Sequence, residues 1–323
     1  MTVLSCCTID NTLICRIISI RAESLCDLFR PQCSNGIMTS DIFNKLRSLE
    51  DALRDYTGSS RPLPAVLNQR RLNILATHLG YHPATPCPAV YVVGDSHSAF
   101  FSGAEALLFH KAYRVFTGFF RVTHINVCTE LLPVFRVFHL GAATAWQAAS
   151  KGSSERACEK LNVLLRKKVI PKGATILLVF GEIDIRCHIP KAILSGKKST
   201  EEAVNSTVDR FLKLPLDLKE RGYRPVIWLP ALNAKLPPTE DIENTASLPA
   251  IGPQSLRDEL TRLYCSILKE KASSCGLKTS GLSTDVSVPE EDRYLDSVHL
   301  SQNLMPKALE VLIDDGVLPI IPA

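Results

Sequence analysis

The sequence lacks a long apolar segment and a strong excess of charge of one sign. No stretch among the 323 residues approaches the roughly 18 uncharged apolar residues that a membrane-spanning helix needs. The 37 basic and 33 acidic residues give a formal net charge of only +4. The short Lys/Arg runs are not interleaved with aromatic residues, as they are in nucleic-acid-binding motifs. These absences predict a protein without a membrane span and without a nucleic-acid partner.

Metal-binding cysteine spacing is also absent, although cysteine itself is not scarce. The chain has 11 cysteines, and no Cys-x-x-Cys pair is matched by a second such pair. We therefore predict no metal site and no other cofactor, and we expect mostly reduced thiols in a cytoplasmic protein. The apolar N-terminus carries Asp10 and Arg16 and has no basic start, so we do not expect a signal peptide.

Residues 1–88 differ in pattern from the rest and are predicted to form an N-terminal helical or partly disordered extension. Apolar residues recur with helical spacing over Ser40–Tyr56, and a second helix is predicted from Pro64 to Leu79. Three prolines between positions 83 and 88 then indicate a linker. The sequence does not indicate what this extension does.

Residues 89–323 show short apolar runs alternating with helical stretches, the pattern of a doubly wound α/β domain. The predicted strands are Ala89–Val93, Val134–Leu140, Thr175–Phe180 and Pro225–Leu229. The predicted helices are His97–His110, Ser154–Val169, Thr200–Arg221, Gln254–Cys275 and Ser301–Asp314. A polar loop from Lys235 to Pro253 follows a strand end, on the side of a parallel sheet where ligands bind.

One serine has the setting of a nucleophile. Ser96 stands in Val92-Val93-Gly94-Asp95-Ser96-His97, which is predicted to run from a strand through a turn into a helix. Its backbone N–H and the helix dipole can both face a developing oxyanion. A serine hydroxyl is a weak nucleophile unless a base removes its proton, so the site needs partners.

The best partners lie near the C-terminus, in Tyr294-Leu295-Asp296-Ser297-Val298-His299. An aspartate three residues before a histidine can accept the Nδ1–H of the imidazole and leave Nε2 free to act as a base. Ser96, Asp296 and His299 thus form a candidate catalytic triad. The motif is not the nucleophile elbow of α/β-hydrolases, because Ser98 stands where that motif requires glycine.

With these two motifs, residues 89–316 resemble the SGNH (GDSL-like) hydrolase superfamily, specifically its members with a Gly-Asp-Ser-His start. The resemblance implies a three-layer α/β/α sandwich around a parallel, flavodoxin-like five-stranded sheet. It also implies that Ser96 is the nucleophile, that Asp296 and His299 complete the triad, and that the N–H of Gly141, after the second strand, faces the oxyanion.

The third family motif, Gly-x-Asn-Asp, is altered. In Phe180-Gly181-Glu182-Ile183-Asp184-Ile185-Arg186, Ile183 stands where the resemblance requires an oxyanion-hole asparagine. Isoleucine cannot donate a hydrogen bond, and losing one such donor typically costs about 3–4 kcal/mol of transition-state stabilisation. Either Arg186 acts as a cationic donor in its place, or the protein has little hydrolase activity.

Several further residues have two interpretations. His97 either lines the pocket or is simply exposed, and Glu182 and Asp184 either orient His97 and Arg186 or cap the next helix. We expect His188 to lie at the surface. The two tryptophans, Trp146 and Trp228, are expected in the core or a pocket wall, and Arg257 on a solvated helix face.

The sequence leaves three functions open. The first is a serine hydrolase that cleaves an O-acyl ester of a small molecule or glycan through an acyl-enzyme, with a carbohydrate ester favoured by the resemblance. The second is an acyltransferase with the same triad. The third is a non-catalytic SGNH-like binding domain, which Ile183 favours and the intact triad opposes. The sequence gives no indication of the oligomeric state.

Overall fold

The computed structural model describes residues 88–103, 109–116, 122–128, 132, 134–232, 248–282, 293–295 and 298–318. Within these ranges seven strands form one sheet. The strands are β1 (Val90–Gly94), β2 (Phe109–Phe116), β3 (Val122–Cys128), β4 (Phe135–His139), β5 (Thr175–Val179), β6 (Arg224–Trp228) and β7 (Lys278–Ser280). The predicted extension over residues 1–88 lies outside the described residues except for Pro88.

The sheet has a parallel part and an antiparallel part. Its order is β2-β3-β4-β1-β5-β6-β7, and the five strands from β4 to β7 pair in parallel. Taken in chain order, these five lie as second, first, third, fourth and fifth, which is the flavodoxin-like arrangement. The fold class predicted from the sequence is thereby confirmed. Strands β2 and β3 add an antiparallel extension that the prediction did not include.

The described helices also match the predicted alternation in most places. They are α1 (Ala145–Ala148), α2 (Ala157–Arg166), α3 (Ile189–Leu194), α4 (Thr200–Glu220), α5 (Gln254–Ser274) and α6 (Met305–Asp314). Short 3₁₀ helices cover Ser96–Ser102 and Gln302–Leu304, and one π-helical turn covers Asp184–His188. The helices α1 and α3 were not predicted, because each is shorter than two turns and too short for a periodic signal.

Both faces of the sheet are covered, which explains why the central strands are apolar throughout. All five residues of β1 and all five of β5 are buried. On one face, Tyr91 and Val93 belong to a single apolar core with residues of α2, α4 and α5. On the other face, the ring of Phe101 in the 3₁₀ helix makes edge-on contacts with Phe135 of β4 and Trp228 of β6.

The predicted helix His97–His110 is wrong. A 3₁₀ helix begins at Ser96 and ends at Ser102, where Gly103 adopts a left-handed conformation with φ of 81° and closes the turn. Strand β2 begins at Phe109, so the last two residues of the predicted helix belong to a strand. Glycine commonly stops a helix in this way, because it adopts positive φ without a Cβ penalty.

The carboxyl ends of the parallel strands lie side by side. Gly94 at the end of β1 is in register with His139 of β4 and with Val179 of β5, and Val179 is in register with Trp228 of β6. Segments that follow these strands therefore meet along one edge of the sheet. In open α/β sheets this edge is where ligands bind.

Candidate functional site

Gly94 sets the position of the serine by allowing β1 and β5 to approach closely. A Cβ atom at Gly94 would lie 2.2 Å from the backbone oxygen of Val179, so no larger residue fits here. Asp95 then caps the 3₁₀ helix, accepting a hydrogen bond from the backbone N–H of His97 at 2.9 Å. Ser96 is thereby held at the first position of the helix, directly beyond the carboxyl end of the central strand.

His299 meets Ser96 across 203 residues of chain. Its Nε2 lies 2.8 Å from Ser96 Oγ, which is hydrogen-bond distance. The backbone N–H of Leu295 donates to the His299 oxygen at 2.8 Å, and the N–H of Ser301 donates to the Arg293 oxygen at 2.8 Å. These two bonds hold the segment that presents the imidazole. Asp296, the predicted third member of the triad, lies outside the described residues.

Two backbone N–H groups are candidate oxyanion donors. Within the described ranges, neither the N–H of Ser96 nor that of Gly141 is committed to a backbone acceptor. Gly141 has a φ of 100°, and a Cβ atom there would lie 1.9 Å from Glu155 Oε2. Glycine is therefore favoured at position 141 by its backbone conformation, while the flexible Glu155 side chain could move away from a Cβ atom.

Glu182 joins His97 and Arg186 in one buried ion-paired cluster. Glu182 Oε2 lies 2.9 Å from His97 Nε2, and Glu182 Oε1 accepts from Arg186 Nε at 2.6 Å. The second terminal nitrogen of Arg186 donates to Glu182 Oε2 at 3.1 Å, and the first donates to the backbone oxygen of Leu248. Glu182 thus orients both residues, which was one of its two interpretations.

The charges of this cluster shift the pKa values of its members. Burial raises the pKa of Glu182, but the charge of His97 and its hydrogen bond, together with Arg186, outweigh burial and lower the value to about 2. Burial lowers the pKa of His97, but the charge and hydrogen bond of Glu182 outweigh burial and raise it above 6.5. His97 is therefore held in its charged form more firmly than a free histidine.

His97 lies beside His299. The two imidazole rings have their centroids 4.9 Å apart and are tilted by 36°. The two pairs, Ser96–His299 and His97–Glu182, are therefore in contact.

Asp184 caps a helix, but not the next one in the chain. Its carboxylate accepts the N–H of Ala145 at 2.6 Å and that of Trp146 at 3.2 Å, at the start of α1. Burial raises the pKa of Asp184 to about 7, against the lowering effect of these two hydrogen bonds. Asp184 therefore connects the segment after β5 to the segment after β4, which carries Gly141.

Ile183, at the position where the resemblance implies an asparagine, is 2% exposed. Its side chain offers no hydrogen-bond donor. Arg186, the predicted substitute donor, directs its guanidinium at Glu182 and at the Leu248 oxygen. These contacts favour a positioning role for Arg186, and its role as an oxyanion donor stays a prediction.

A small pocket, open to solvent, lies beside His97 on the β6 side of the sheet edge, and neither Ser96 nor His299 is among its lining residues. Its polar lining residues include Asp95, His97 and Glu182, while Trp228 belongs to its apolar wall. The remaining lining residues are Phe100, Val179, Phe180, Pro230, Ala231, Leu232, Val298 and Leu300. The pocket therefore has both a polar and an apolar wall.

Sequence reasoning missed two buried cations near this edge. Arg257 was expected on a solvated face of α5, but it is fully buried and donates to the backbone oxygen of Gly252 and to Gln254 Oε1. Lys160 in α2 is also buried and was not identified at all. Both lie on helices with an ordinary amphipathic pattern, so the sequence carries no signal that distinguishes them. His188 is exposed, as expected.

Across the described ranges, no three His, Cys, Asp or Glu side chains converge in a way that could hold a metal ion. The described cysteines, at positions 128, 158, 187, 265 and 275, are free thiols. No helix among the described residues is both long enough and apolar enough to cross a bilayer.

The fold and site together define a flavodoxin-like α/β domain with a serine–histidine pair at the carboxyl edge of its sheet. No family model matches the chain. No curated protein matches it.

Several solved structures resemble this chain. They include the carbohydrate acetylesterase Est24 from Sinorhizobium meliloti (14% identity, 71% of this chain and 97% of that one, TM-score 0.39). They also include a putative arylesterase from Agrobacterium tumefaciens (15%, 70% and 98%, 0.38) and the acetylxylan esterase Axe2 from Geobacillus stearothermophilus (12%, 72% and 96%, 0.39). At this distance the function of this chain has to be argued from its own residues.

Proposed function

We propose that this protein is a serine hydrolase of the SGNH type that cleaves a carboxylic O-acyl ester. The observation that carries the proposal is the 2.8 Å contact between Ser96 Oγ and His299 Nε2 at the carboxyl edge of the sheet. Nucleophile and base within hydrogen-bond reach are the core requirement for covalent catalysis by serine. The alignment of the strand ends supports the same location for substrate.

In the proposed reaction, His299 Nε2 removes the proton of Ser96 as its Oγ attacks the ester carbonyl carbon. The tetrahedral intermediate collapses, the bond to the alcohol oxygen breaks, and the imidazolium of His299 returns the proton to the leaving alcohol. A water molecule then attacks the acyl-enzyme, again with His299 as the base. Ser96 is regenerated and a carboxylic acid is released.

In our proposal, the charge on the carbonyl oxygen is stabilised by two backbone donors, the N–H groups of Ser96 and Gly141. Each N–H lacks a backbone acceptor within the described ranges, which supports this role. A side-chain donor from position 183 is missing, because Ile183 has no polar atom. We therefore expect turnover below that of an enzyme with a complete oxyanion hole, by about 10²–10³.

Asp296 is proposed to accept the Nδ1–H of His299 and to hold the imidazole in the tautomer with Nε2 free. The support for this role is its place in the sequence, three residues before His299. The substrate class that we propose is an O-acyl ester of a carbohydrate, because the resemblance implies it.

The experiment that tests the proposal is hydrolysis of p-nitrophenyl acetate by the wild-type protein and by Ser96→Ala. We expect wild-type turnover that Ser96→Ala abolishes. Ser195→Ala is the matched control, because Ser195 is exposed at the end of α3. Equal rates for wild type and Ser96→Ala, or no turnover by wild type, would contradict the proposal.

A non-catalytic binding domain is the second candidate, and one observation favours it. Ile183 is buried and leaves the oxyanion site without its side-chain donor. The binding domain predicts that a p-nitrophenyl ester stays intact and that Ser96→Ala changes nothing but affinity. The same hydrolysis experiment separates this candidate from the hydrolase.

A further inference from the structure

Lys160 of α2 is a buried cation next to the candidate oxyanion donor. Lys160 is only 4% exposed, and its Nζ donates a hydrogen bond to the backbone oxygen of Leu140 at 2.5 Å. Lysine is almost never buried unless it is paired, because removing an ammonium group from water is costly. The hydrogen bond to the Leu140 oxygen therefore compensates part of the cost of burying the Lys160 ammonium group.

The Leu140 oxygen belongs to the same peptide unit as the Gly141 N–H. A trans peptide is planar, and its C=O and N–H point in opposite directions. Fixing the carbonyl on the Lys160 side thus directs the Gly141 N–H to the opposite side. The preceding N–H, that of Leu140, donates to the Gly94 oxygen at 2.9 Å, which ties this segment to the residue two before Ser96.

The carboxylate of Glu155 also lies close to Gly141, and the positive charge of Lys160 offsets it. A Cβ atom at Gly141 would lie 1.9 Å from Glu155 Oε2, so a carboxylate lies directly against this glycine. An anion there opposes the build-up of negative charge on a nearby substrate oxygen. Lys160 Nζ lies 3.9 Å from the same carboxylate oxygen and offsets its charge. Burial lowers the pKa of the Lys160 ammonium and Glu155 opposes that effect.

We propose that Lys160 is a positioning residue for the oxyanion hole. It holds the Leu140 carbonyl so that the Gly141 N–H faces the ester oxygen, and its charge polarises that peptide and makes the N–H a stronger donor. The inference rests on the proposed hydrolase function. It adds a residue that lies outside the triad and outside the altered motif at Ile183.

The test compares Lys160→Met, which keeps the length of the side chain and removes the charge, with Lys160→Arg, which keeps the charge. Lys167→Met is the matched control, because Lys167 is exposed just beyond the end of α2. With p-nitrophenyl acetate, we expect Lys160→Met to lower kcat about 10-fold with KM within about twofold of wild type. This loss is smaller than the 10²–10³ expected when an oxyanion donor is removed outright.

A second readout uses phenylboronic acid, which forms a tetrahedral adduct with the serine oxygen and places an anionic oxygen in the oxyanion hole. Its inhibition constant should weaken about 10-fold in Lys160→Met, because the inhibitor mimics the transition state. We expect Lys160→Arg to retain more of both kcat and inhibitor affinity than Lys160→Met. A purely structural lysine would lower Tm without this selective loss.

The outcomes separate the inference from the function on which it rests. If Ser96→Ala is inactive while Lys160→Met keeps wild-type kcat and inhibitor affinity, the role of Lys160 is wrong and the hydrolase stands. A rise in KM in place of a fall in kcat, or an equal loss in Lys160→Arg, also overturns the role. If wild type and Ser96→Ala do not differ, the hydrolase proposal is wrong and the Lys160 inference is wrong with it.

Discussion

Two histidines lie side by side at the carboxyl edge of the sheet, and they have opposite surroundings. His299 contacts the Ser96 hydroxyl through Nε2, while His97 directs its Nε2 at the Glu182 carboxylate. The rings are 4.9 Å apart, so both belong to one site. His97 is next to Ser96 in sequence, yet the base-like contact to the serine comes from His299, 203 residues further along.

The difference between the two histidines lies in their partners. A buried carboxylate beside an imidazole favours the charged ring, and this raises the pKa of His97. The Nε2 of His97 is also engaged by Glu182, so it does not face the Ser96 hydroxyl as a base would have to. His299 has a neutral hydroxyl as its partner at Nε2, and this suits a group that must accept and return a proton.

The largest expected effect separates the two histidines. His299→Ala should lower kcat for p-nitrophenyl acetate by about 10⁴–10⁶, as removal of a triad member does in a serine hydrolase. His97→Asn should cost far less, because His97 contacts the His299 ring and not the Ser96 hydroxyl. Steady-state kinetics on both variants measures the difference. Equal losses in the two variants would contradict the assignment of different roles.

The next effect concerns the stability of the His97 side of the site. Glu182→Gln removes the carboxylate that two buried cations share and leaves their charges without a partner. We expect the free energy of unfolding to fall by about 3–5 kcal/mol, as when one member of a buried ion pair is removed. Urea denaturation measures it, with the exposed Glu220→Gln as control. A change below about 1 kcal/mol, the usual limit for surface ion pairs, would show that Glu182 is not an effectively buried partner.

A smaller effect on stability is expected for Asp184, which follows β5 and caps the start of helix α1. Asp184→Ala leaves the N–H groups of Ala145 and Trp146 without their acceptor. The loss should be about 2 kcal/mol of unfolding free energy, because two buried N–H groups each lose a hydrogen bond worth about 1 kcal/mol. Thermal unfolding of this variant against wild type provides the measurement. An unchanged Tm would mean that water replaces the carboxylate at no cost.

The smallest effect is a pH dependence of the ion pair. The lowered pKa of Glu182 contributes stability that is present above its ordinary value of 4.5 and is lost as pH falls towards about 2. The raised pKa of His97 contributes stability that is present below 6.5 and is lost as pH rises through its value in the folded protein.

The Tm difference between wild type and Glu182→Gln should therefore be greatest between pH 4.5 and 6.5. It should shrink on both sides of this window, and less on the alkaline side, where Arg186 still pairs with Glu182. A difference that stays constant from acid to alkaline pH would contradict the presence of a charged His97.

Four of the five parallel strands were predictable from the sequence, because they are largely apolar, whereas β7 is short and polar and was not predicted. The predicted strand Thr175–Phe180 differs from the observed β5 by one residue at its end. The positions of Gly94 and Ser96 were predictable for another reason, since a strand followed by Gly-Asp-Ser has a specific turn geometry. The approach of His299 to Ser96 followed from the resemblance and from the chain order of the motifs.

Other features of the site could not be predicted, because they depend on contacts between distant segments. The burial of Lys160 and Arg257 depends on carbonyl oxygens that each cation finds only in the folded chain. The antiparallel pair of β2 and β3 begins within a segment that was predicted as helix. In that segment, only Gly103 indicates that the helix ends. The contact of Glu182 with His97 likewise could not be predicted, because 85 residues separate the two in the sequence.

The most direct test of the central claim is labelling with a fluorophosphonate probe, followed by mass spectrometry of the modified peptide. We expect covalent modification at Ser96 in the wild-type protein. Labelling should disappear in Ser96→Ala, fall strongly in His299→Ala and persist in Ser195→Ala. Absence of labelling in wild type, or labelling that persists in Ser96→Ala, would contradict the claim that Ser96 is an activated nucleophile.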